Sequence, residues 1–440
     1  MKKTILILLI LASITSGCQP TIQKSSAFQT QAAMDKETHS PIYIDLESQQ
    51  VRPVVAEEPD DVKLSATNYN AAFVDDTGNL WVWGANPDGM LGVGNDTTIK
   101  EPQMVMSDVK YVYLVDLTHG EAGSKKHGAM FIVKNNGDML CSGYNLNGIF
   151  GESFGMTSSQ EPRRVFEPIK IKSGINRLII EAVSTFPVVF ALTESGELWY
   201  WGRGILNENG MAQPTKLFDK DITFVDAELG ISYIVTGASK LYAFYPTGDD
   251  LFGEGEDVFI KPNESESIIL PHYKKDGVIA AKYAAAHYAL LQKVDGALWK
   301  VWNQIEMQLL EDVVDFDIDY PSMKMFALTK HGDLYTFEIE DENKAPTKIA
   351  EGITLARIFR SCIYMINETG ELFQYDLDNN ITHVLCSRVK DVTPANNGVF
   401  VKKVDGSIWA IGDNTAWALG LPEGMRYSDF YELSFEEIKG

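Results

Sequence analysis

Side chains that commonly carry enzyme chemistry are scarce in this sequence. Only 4 cysteines and 7 histidines occur among its 440 residues. The chain contains no His-Glu-x-x-His zinc motif, no Walker-type phosphate loop and no Cys-x-x-Cys pair. We therefore predict no catalytic residue, no metal site and no cofactor, and the sequence favours a protein that is not an enzyme.

Positive charge is also scarce. The 38 lysines and arginines stand against 61 aspartates and glutamates, which gives a net charge of −23. Because so acidic a surface repels phosphate backbones, we expect no nucleic-acid partner. Solubility alone accounts for the excess of acidic residues, without a specific cationic ligand.

Apolar runs long enough to span a bilayer are missing. The run at residues 5–12 follows Lys2 and Lys3 and is too short for a membrane span, so it is typical of a signal peptide. It leads into Ile-Thr-Ser-Gly-Cys at residues 14–18, which resembles the lipobox of bacterial lipoproteins. The resemblance implies that residues 1–17 are removed and that Cys18 is lipidated. An ordinary secretory signal is the alternative.

A lipidated Cys18 implies a location for the protein. Loss of Lys2 and Lys3 with the signal leaves 36 basic and 61 acidic residues, a net charge of −25. Residues 18–50 begin with a Gln-, Ser- and Thr-rich stretch without periodicity, which predicts a flexible tether. We expect an exported protein whose lipid holds it on the outer side of the bacterial cytoplasmic membrane or in the outer membrane, with no other membrane contact.

The cysteines other than Cys18 are Cys141, Cys362 and Cys386, and an odd number does not make a disulfide framework. Their surroundings favour small buried hydrophobic residues for Cys141 and Cys362. A bridge between Cys362 and Cys386 stays open at this point.

What the chain does have is a repeated hairpin. Residues 71–84 read AAFVDDTGNLWVWG, two short strands joined by a turn in which Gly78 can take a positive φ. The copy at residues 233–244 is the weakest, because Ser239 stands at the glycine position. A recurring unit of this kind indicates a repeat architecture. The other copies lie at residues 129–143, 189–202, 288–302, 325–337, 362–375 and 399–412.

Each hairpin lies inside a longer unit of four strands. In the second unit, a strand at 109–114 and a loop at 118–127 precede the hairpin, and a strand entered through Pro162 ends the unit. Four-stranded antiparallel units in radial array make a β-propeller. We predict an all-β propeller over residues 51–440, with eight blades or, as the alternative, seven. A strand at 430–433 or at 51–55 would close the ring.

The segments after three of the hairpins share a second signature. Residues 84–94 read GANPDGMLGVG, residues 143–151 keep the spacing, and residues 412–420 keep the Gly, the Asn and the Leu-Gly. This resembles the repeat of the regulator of chromosome condensation family, in which W-G-x-N-x-x-G-x-L-G-x-G follows an Asp-Gly turn. The resemblance implies a β-propeller. It covers about residues 51–440, although units five to seven keep only the hairpin.

Tryptophans recur at two positions of the repeat. The first position holds Trp81, Trp199, Trp299 and Trp409, and the second, two residues on, holds Trp83 and Trp201. Because alternate residues of a strand share a face, we predict that both sets pack between blades. A sugar-binding platform is the alternative.

Two groups of side chains are weak candidates for a cation site. Asp315, Asp317 and Asp319 alternate along a predicted inner strand and would line the channel, but the Gly and Glu of a calcium loop are missing. His119 and His127 share one predicted loop, where a metal would need further ligands. Solvated surface groups are the simpler interpretation of both.

Strand direction places the long insertions on one face of the propeller. The connections after the first and third strands of each unit share that face, and loops on a rigid scaffold are where binding evolves. The insertions lie at residues 84–100, 118–127, 143–160, 202–212 and 245–262. The predicted partner-binding residues there are Lys125, Lys126, His127, Tyr144 and Phe154.

The sequence therefore predicts a non-enzymatic, surface-anchored propeller that binds a protein partner, or a glycan, through its long-loop face. Nucleotide exchange on a nuclear GTPase, the best-known activity of the family that it resembles, does not suit an exported chain. A secreted β-lactamase inhibitor built from the same repeats is the nearer analogy. The alternative is a hydrolase or lyase that acts on polysaccharide with channel carboxylates.

Overall fold

A computed structural model describes most of the chain beyond residue 62. The described residues are 63–119, 125–151, 164–181, 188–202, 214–228, 231–244, 259–263, 266–269, 272–284, 288–302, 304–320, 322–339 and 345–435. Their regular structure is β-strand, with short 3-10 turns at Pro87–Gly89, Leu146–Gly148 and Thr415–Trp417. No helix in these ranges is long and apolar enough to cross a membrane.

The strands form eight four-stranded antiparallel sheets, each built from one stretch of chain. Blade 1 consists of β1 (Leu64–Ala66), β2 (Asn70–Val74), β3 (Leu80–Gly84) and β4 (Ile99–Met106). Blade 2 consists of β5 (Val109–His119), β6 (Lys125–Lys134), β7 (Met139–Tyr144) and β8 (Arg164–Lys172). Blade 3 consists of β9 (Ile175–Glu181), β10 (Val188–Thr193), β11 (Leu198–Gly202) and β12 (Thr215–Phe218).

Blade 4 contains an inserted hairpin before its outer strand. Its sheet consists of β13 (Ile222–Glu228), β14 (Ile231–Thr236), β15 (Lys240–Phe244) and β18 (His272–Asp276). The inserted hairpin is a separate sheet that consists of β16 (Phe259–Asn263) and β17 (Glu266–Ile269). Blade 5 consists of β19 (Val278–Tyr283), β20 (Ala289–Lys293), β21 (Leu298–Trp302) and β22 (Ile305–Leu310).

Three further blades complete the ring. Blade 6 consists of β23 (Val313–Asp319), β24 (Lys324–Thr329), β25 (Leu334–Glu338) and β26 (Thr347–Ala350). Blade 7 consists of β27 (Ile353–Phe359), β28 (Cys362–Asn367), β29 (Leu372–Asp376) and β30 (Ile381–Cys386). Blade 8 consists of β31 (Val389–Ala395), β32 (Gly398–Lys403), β33 (Ile408–Asp413) and β34 (Arg426–Glu432).

Inner strands of neighbouring blades contact one another, as β9 does with β13 and β27 does with β31, and β1 contacts both β5 and β31. The Lys402 ammonium of blade 8 also lies 3.1 Å from the Asp76 carboxylate of blade 1. The prediction of an all-β propeller with eight blades is therefore confirmed, and the seven-blade alternative is excluded.

The tight hairpin turns are held locally, and most of them also bond to the next blade. In blade 1 the Asp75 carboxylate accepts hydrogen bonds from the Thr77 and Asn79 amides, both at 2.9 Å. Gly78 has a φ of +83°, and its carbonyl accepts a hydrogen bond from the Val109 amide of blade 2 at 2.9 Å. Six turn carbonyls accept such a bond from the next inner strand, at Gly78, Gly137, Ser239, Gly296, Gly332 and Gly370.

The asparagine of the longer signature folds the connection that follows it. The Asn86 side-chain oxygen accepts a hydrogen bond from the Leu91 amide at 2.9 Å. Equivalent bonds run from Phe150 to Asn145 at 2.9 Å and from Leu419 to Asn414 at 2.8 Å. Each bond closes a short 3-10 turn, so the signature specifies one compact shape in the three units that carry it.

The second tryptophan position ties this compact turn to the next blade. Trp201 is 1% exposed, and its indole N–H donates to the Ile149 carbonyl of blade 2 at 2.7 Å. Trp83 is fully buried and donates to the Ala418 carbonyl of blade 8 at 3.1 Å. Both acceptors directly precede the Leu-Gly or Phe-Gly of a signature. The prediction that this tryptophan position packs between blades is confirmed.

Blade 2 makes the same joint without an indole. Ser142 occupies the position of Trp83, and its hydroxyl donates to the Met90 carbonyl of blade 1 at 2.7 Å. The signatures of units one, two and eight therefore each bond to the blade that comes next in the ring.

The C-terminal segment closes the ring. After β34 the chain crosses to blade 1, where the ring centroid of Phe435 lies 5.3 Å from that of Phe73 and 5.4 Å from that of Trp81. Leu433 is 4% exposed in the same apolar cluster. The predicted strand at 430–433 thus forms part of the closing strand, and the alternative segment at 51–55 lies outside the described residues.

All three described cysteines are free thiols. Cys362 pairs with Asp376 at one end of β29, whereas Cys386 pairs with Leu372 at the other end. This separation excludes the bridge between Cys362 and Cys386 that the sequence left open. Cys141 is buried as predicted, and burial raises the pKa of its thiol.

Candidate functional site

The two faces of the propeller differ in the connections that they carry. Because every blade is antiparallel, connections after the first and third strands lie on one face, here called the loop face, and the others lie on the turn face. The loop face holds the long connections at 85–98, 145–163, 203–214 and 245–271. Four of the five predicted insertions leave from this face as long connections, whereas the fifth, at residues 118–127, begins and ends in strand.

Four side chains from blades 1 and 2 meet beneath the loop face, and we call them the His127 cluster. The Nδ1 atom of His127 lies 2.6 Å from Asp88 Oδ2. Arg164 Nε lies 2.8 Å from the other oxygen, Asp88 Oδ1. The rings of His127 and Tyr144 stack in parallel with centroids 3.8 Å apart. One buried carboxylate therefore holds an imidazole and a guanidinium in place.

Local backbone structure brings these four residues together. Asp88 has a φ of +58° within the 3-10 turn that follows Asn86, so its carboxylate is carried on the compact signature turn. Tyr144 ends β7 and is paired with Arg164 at the start of β8. Cross-strand neighbours of this kind have side chains in contact, which sets both residues beside His127.

The His127 cluster leaves one polar atom uncommitted. Because a carboxylate only accepts hydrogen bonds, the contact with Asp88 assigns a proton to His127 Nδ1. The second ring nitrogen, Nε2, is buried and has no hydrogen-bond partner among the described residues. The Arg164 side chain is about half exposed, at 51%. The cluster thus presents one fixed imidazole below the surface and one guanidinium at the surface.

The predicted partner-binding residues are only partly described. His127 and Tyr144 are buried, at 8% exposure each. They can therefore hold neighbouring surface residues in position, but they have little exposed area with which to contact a partner. The side chains of Lys125 and Lys126, and all of Phe154, lie outside the described residues. Partner binding by these five residues stays a prediction. Asp88 and Arg164 belong to the same site, and the prediction did not include them.

The predicted irregular loop at 118–127 was wrong in its extent. Pairing between β5 and β6 continues to His119 opposite Lys125, and only residues 120–124 lie outside the description. The extra pairs form because the apolar alternation of β5 continues beyond residue 114, through Val115 and Leu117. His127 is consequently a strand residue, held against blade 1. Among the described residues, no group of three His, Cys, Asp or Glu side chains could hold a metal ion.

Residues 151–155 read Gly-Glu-Ser-Phe-Gly, which matches the Gly-x-Ser-x-Gly pattern of serine hydrolases. That pattern positions a nucleophile in a strand–turn–helix elbow. Here Gly151 follows a 3-10 turn in an all-β blade, and residues 152–155 lie outside the described ranges. The match therefore assigns no catalytic role to Ser153.

The alternating acids of β23 do not form one site. Asp317 lies 2.7 Å from the Lys282 ammonium of blade 5. Asp315 lies 3.8 Å from the Arg357 guanidinium of blade 7. Asp319 accepts hydrogen bonds from the backbone amides of blade 7, at Arg360 and Ser361. Each carboxylate thus has a separate interblade contact, which is the reason they do not converge on a cation.

Asp226 of β13 is a further channel carboxylate, and its environment is unusual. Burial raises its pKa to about 6, although Lys282 and a hydrogen bond from the Tyr283 backbone favour the ionised form. Asp226 Oδ2 has no hydrogen-bond partner among the described residues. An ionised Asp226 is therefore destabilising for the fold at neutral pH.

The pKa of Asp226 predicts a pH-dependent effect of Asp226→Asn. Because the folded pKa of about 6 exceeds the ordinary value of 3.8, the protonated acid stabilises the fold below about pH 4, and this contribution is lost as the pH rises through 6. Asparagine imitates the protonated acid. We expect the variant to gain about 3 kcal/mol in the free energy of unfolding at pH 8 and about half of that at pH 5.

Urea unfolding at both pH values measures this effect. The matched control is Asp429→Asn on the exposed side of β34, which should change the free energy of unfolding by less than about 0.5 kcal/mol at either pH. A loss of stability in Asp226→Asn at pH 8 would contradict the prediction.

The fold and the loop face define the class of this protein as an eight-bladed β-propeller with long connections on one side. No protein-family model matches the chain. Solved structures that it is similar to include human WBSCR16, at 12% identity and a TM-score of 0.47 over 81% of this chain and 94% of that one.

Two other solved structures show similar overall likeness. A structure of Kap60 bound to yeast RCC1 (Prp20) matches at 13% identity and a TM-score of 0.48, over 94% of this chain and 91% of that one. BamB from Moraxella catarrhalis matches at 11% identity and a TM-score of 0.43, over 82% and 97% of the two chains. At this level of similarity the comparisons carry no argument about function.

Proposed function

We propose that this protein is a non-enzymatic binding propeller that takes a protein partner on its loop face. The observation that supports this most is the distribution of connections: four long ones leave the loop face, whereas the turn face consists of tight turns. Loops positioned by a rigid scaffold are the usual place for binding residues. Six of the turns are held by hydrogen bonds to the next blade, which leaves the loop face as the more adaptable surface.

The His127 cluster supports a binding surface at the junction of blades 1 and 2. Arg164 is fixed by Asp88 and yet half exposed, and a held arginine loses little side-chain entropy when it engages a partner. Arginine and aromatic residues are enriched among the residues that contribute most to protein interfaces. Lys125 and Lys126 on the adjoining strand would add positive charge to an acidic protein.

A glycan partner has less support. At the first tryptophan position, lysine ammonium groups lie over the rings of Trp199, Trp299 and Trp409 at 4.2, 3.7 and 5.7 Å. These three tryptophans lie one residue into their strands, next to the turn face. A stacking platform for sugar needs an open ring face on the binding side, which these residues do not offer.

The hydrolase or lyase alternative needs a second carboxylate near Asp226. Its neighbour Asp317 is paired with Lys282 at 2.7 Å. A carboxylate in an ion pair is a poor partner for acid–base exchange, since the lysine favours its ionised form. We therefore propose no catalytic role for the channel.

The binding face can be tested with charge reversal. The partner should first be captured by cross-linking on cells that display the full-length protein. We expect Lys125→Glu with Lys126→Glu to weaken its binding at least tenfold, about 1.4 kcal/mol. The reason is that the two substitutions together change the net charge of the proposed surface by −4.

The matched control reverses two charges on the turn face. Lys330 and Arg388 are exposed and paired with Asp312 and Asp405. Lys330→Glu with Arg388→Glu should leave affinity within twofold. Loss of binding only in the turn-face variant would contradict the proposal, because the partner would then bind the turn face.

Anchoring is a separate proposal that rests on residues 14–18. We expect Cys18→Ser to move the protein from the membrane fraction to the soluble fraction, because the thiol that would carry the lipid is gone. Ser16→Ala, which keeps a small residue beside the same cysteine, is the control and should remain membrane-bound. Unchanged fractionation of Cys18→Ser would contradict lipidation.

A further inference from the structure

The central channel contains a cavity of about 390 Å³ between the inner strands of blades 1 to 5. Its charged lining consists of Arg177 from β9, Asp226 from β13 and Lys282 from β19. Inner-strand residues such as Leu114 and Ile179 supply much of the remaining wall. The wall is thus mixed in polarity, and a concave cavity in which a few polar groups converge is a common form of small-molecule site.

Two atoms in this wall are buried without a hydrogen-bond partner among the described residues. They are Arg177 Nε and Asp226 Oδ2. The two side chains have opposite charges and line one cavity, yet no ion pair joins them in the described part of the chain. Burying such groups unpaired is costly. An unsatisfied buried polar group needs an explanation, and a bound molecule that completes the missing contacts is one.

The other basic residues of the channel, Lys282 and Arg357, each have at least one partner. Lys282 is paired with Asp317 at 2.7 Å. Arg357 faces Asp315 at 3.8 Å and donates to the Ala356 carbonyl at 3.1 Å, although its Nε is also unpaired. Arg177, by contrast, has no ion pair or hydrogen bond among the described residues. The uncommitted charge is therefore concentrated on the blade 3 and blade 4 side.

We propose that this cavity binds a small carboxylate that also carries an ammonium or hydroxyl group, as an amino acid, a hydroxy acid or a sugar acid does. The planar guanidinium of Arg177 is suited to a carboxylate, which it can hold with two parallel hydrogen bonds. Asp226 Oδ2 accepts the hydrogen bond from the ammonium or hydroxyl group. The cavity volume suits a ligand of this size.

The raised pKa of Asp226 agrees with this arrangement. With a pKa of about 6, the side chain is mostly ionised at pH 7.5, and a donor on the ligand would supply the partner that its Oδ2 atom lacks. Arg177 and Asp226 thus select for a ligand that has a carboxylate and, in addition, either an ammonium or a hydroxyl group. A simple anion satisfies Arg177 alone.

Isothermal titration calorimetry at pH 7.5 tests the proposal with defined probes. The probes are L-glutamate, D-glucuronate and L-lactate, with acetate, glucose and inorganic phosphate for comparison. We expect at least one of the first three to bind with a dissociation constant below about 1 mM, and at least tenfold more tightly than acetate, glucose or phosphate. Arg177→Met and Asp226→Asn should each weaken that binding at least tenfold.

Matched controls are Arg388→Met and Asp429→Asn, which lie outside the channel and should bind as the unaltered protein does. If Arg177→Met fails to fold, Arg177→Lys keeps the charge, loses the planar fork and should still weaken binding at least fivefold. Asp226→Asn should lose binding while its midpoint of urea unfolding rises, a combination that a merely structural carboxylate would not give.

Three results would overturn the proposal. The first is that none of the probes saturates the protein below 10 mM. The second is that the channel variants bind with unchanged affinity. The third is that phosphate or acetate binds as tightly as the best probe and is unaffected by Asp226→Asn, which would reduce the cavity to a simple anion site.

Discussion

Replacing Trp201 by alanine should lower the free energy of unfolding by about 3–5 kcal/mol. The indole is 1% exposed and lies in the apolar cluster between blades 2 and 3. It also donates the 2.7 Å hydrogen bond to the Ile149 carbonyl. Alanine therefore leaves both a large cavity and a buried carbonyl without its donor, and the two losses act at one joint between blades. Urea unfolding followed by circular dichroism measures the change.

Two variants separate the contributions of that joint. Trp201→Phe keeps an aromatic ring and removes the donor, so it should account for about 1–2 kcal/mol of the loss. Trp199→Ala alters the neighbouring, partly buried tryptophan, which lies under the Lys172 ammonium, and should cost less than Trp201→Ala. An effect of Trp201→Ala below about 1 kcal/mol would contradict the interblade role of the second tryptophan position.

Removal of the C-terminal contacts should have a comparable effect. Leu433→Ala combined with Phe435→Ala should destabilise the protein by about 4 kcal/mol. Leu433 is buried in the cluster of blade 1, and Phe435 packs on Phe73 and Trp81 at centroid distances of 5.3 and 5.4 Å. These contacts join the last blade to the first. Their loss weakens the junction between blades 8 and 1, which no direct chain connection joins.

The control for ring closure is Tyr431→Ala, which alters an aromatic residue of 47% exposure in β34, shortly before Leu433 and Phe435. It should change the free energy of unfolding by less than about 1 kcal/mol. In the double variant we also expect a broader unfolding transition, since an opened ring can unfold from its ends. Equal effects of Tyr431→Ala and the double variant would show that closure does not depend on the contacts to blade 1.

Much of the fold could be predicted from the spacing of a few residue types. A glycine at the centre of each hairpin indicates a positive φ, and observed values such as +83° at Gly78 agree. The weak fourth copy still forms the turn, with Ser239 at a φ of +57°. Such signals are local, because a turn is set by the φ that its central residues can adopt. Eight hairpins therefore predicted eight blades.

The candidate sites could not be predicted in the same way. Asp88 and Arg164 are 76 positions apart in the chain, yet they share a hydrogen-bonded contact at 2.8 Å. Arg177, Asp226 and Lys282 come from three successive blades and line one cavity. No local pattern connects such residues, because each blade contributes one side chain and the ring brings them together. The unpaired state of Arg177 depends on the positions of all its neighbours.

The sequence by itself determined the repeat, the strand directions and the face that bears the long connections, since hairpin geometry and antiparallel pairing follow from residues close together in the chain. Only the tertiary structure decided which terminus closes the ring, that residues 118 and 119 continue a strand, and that Cys362 and Cys386 lie at opposite ends of blade 7. It also decided which buried charges are paired. These outcomes depend on contacts between blades, where burial and hydrogen-bond partners are set by residues far apart in the sequence.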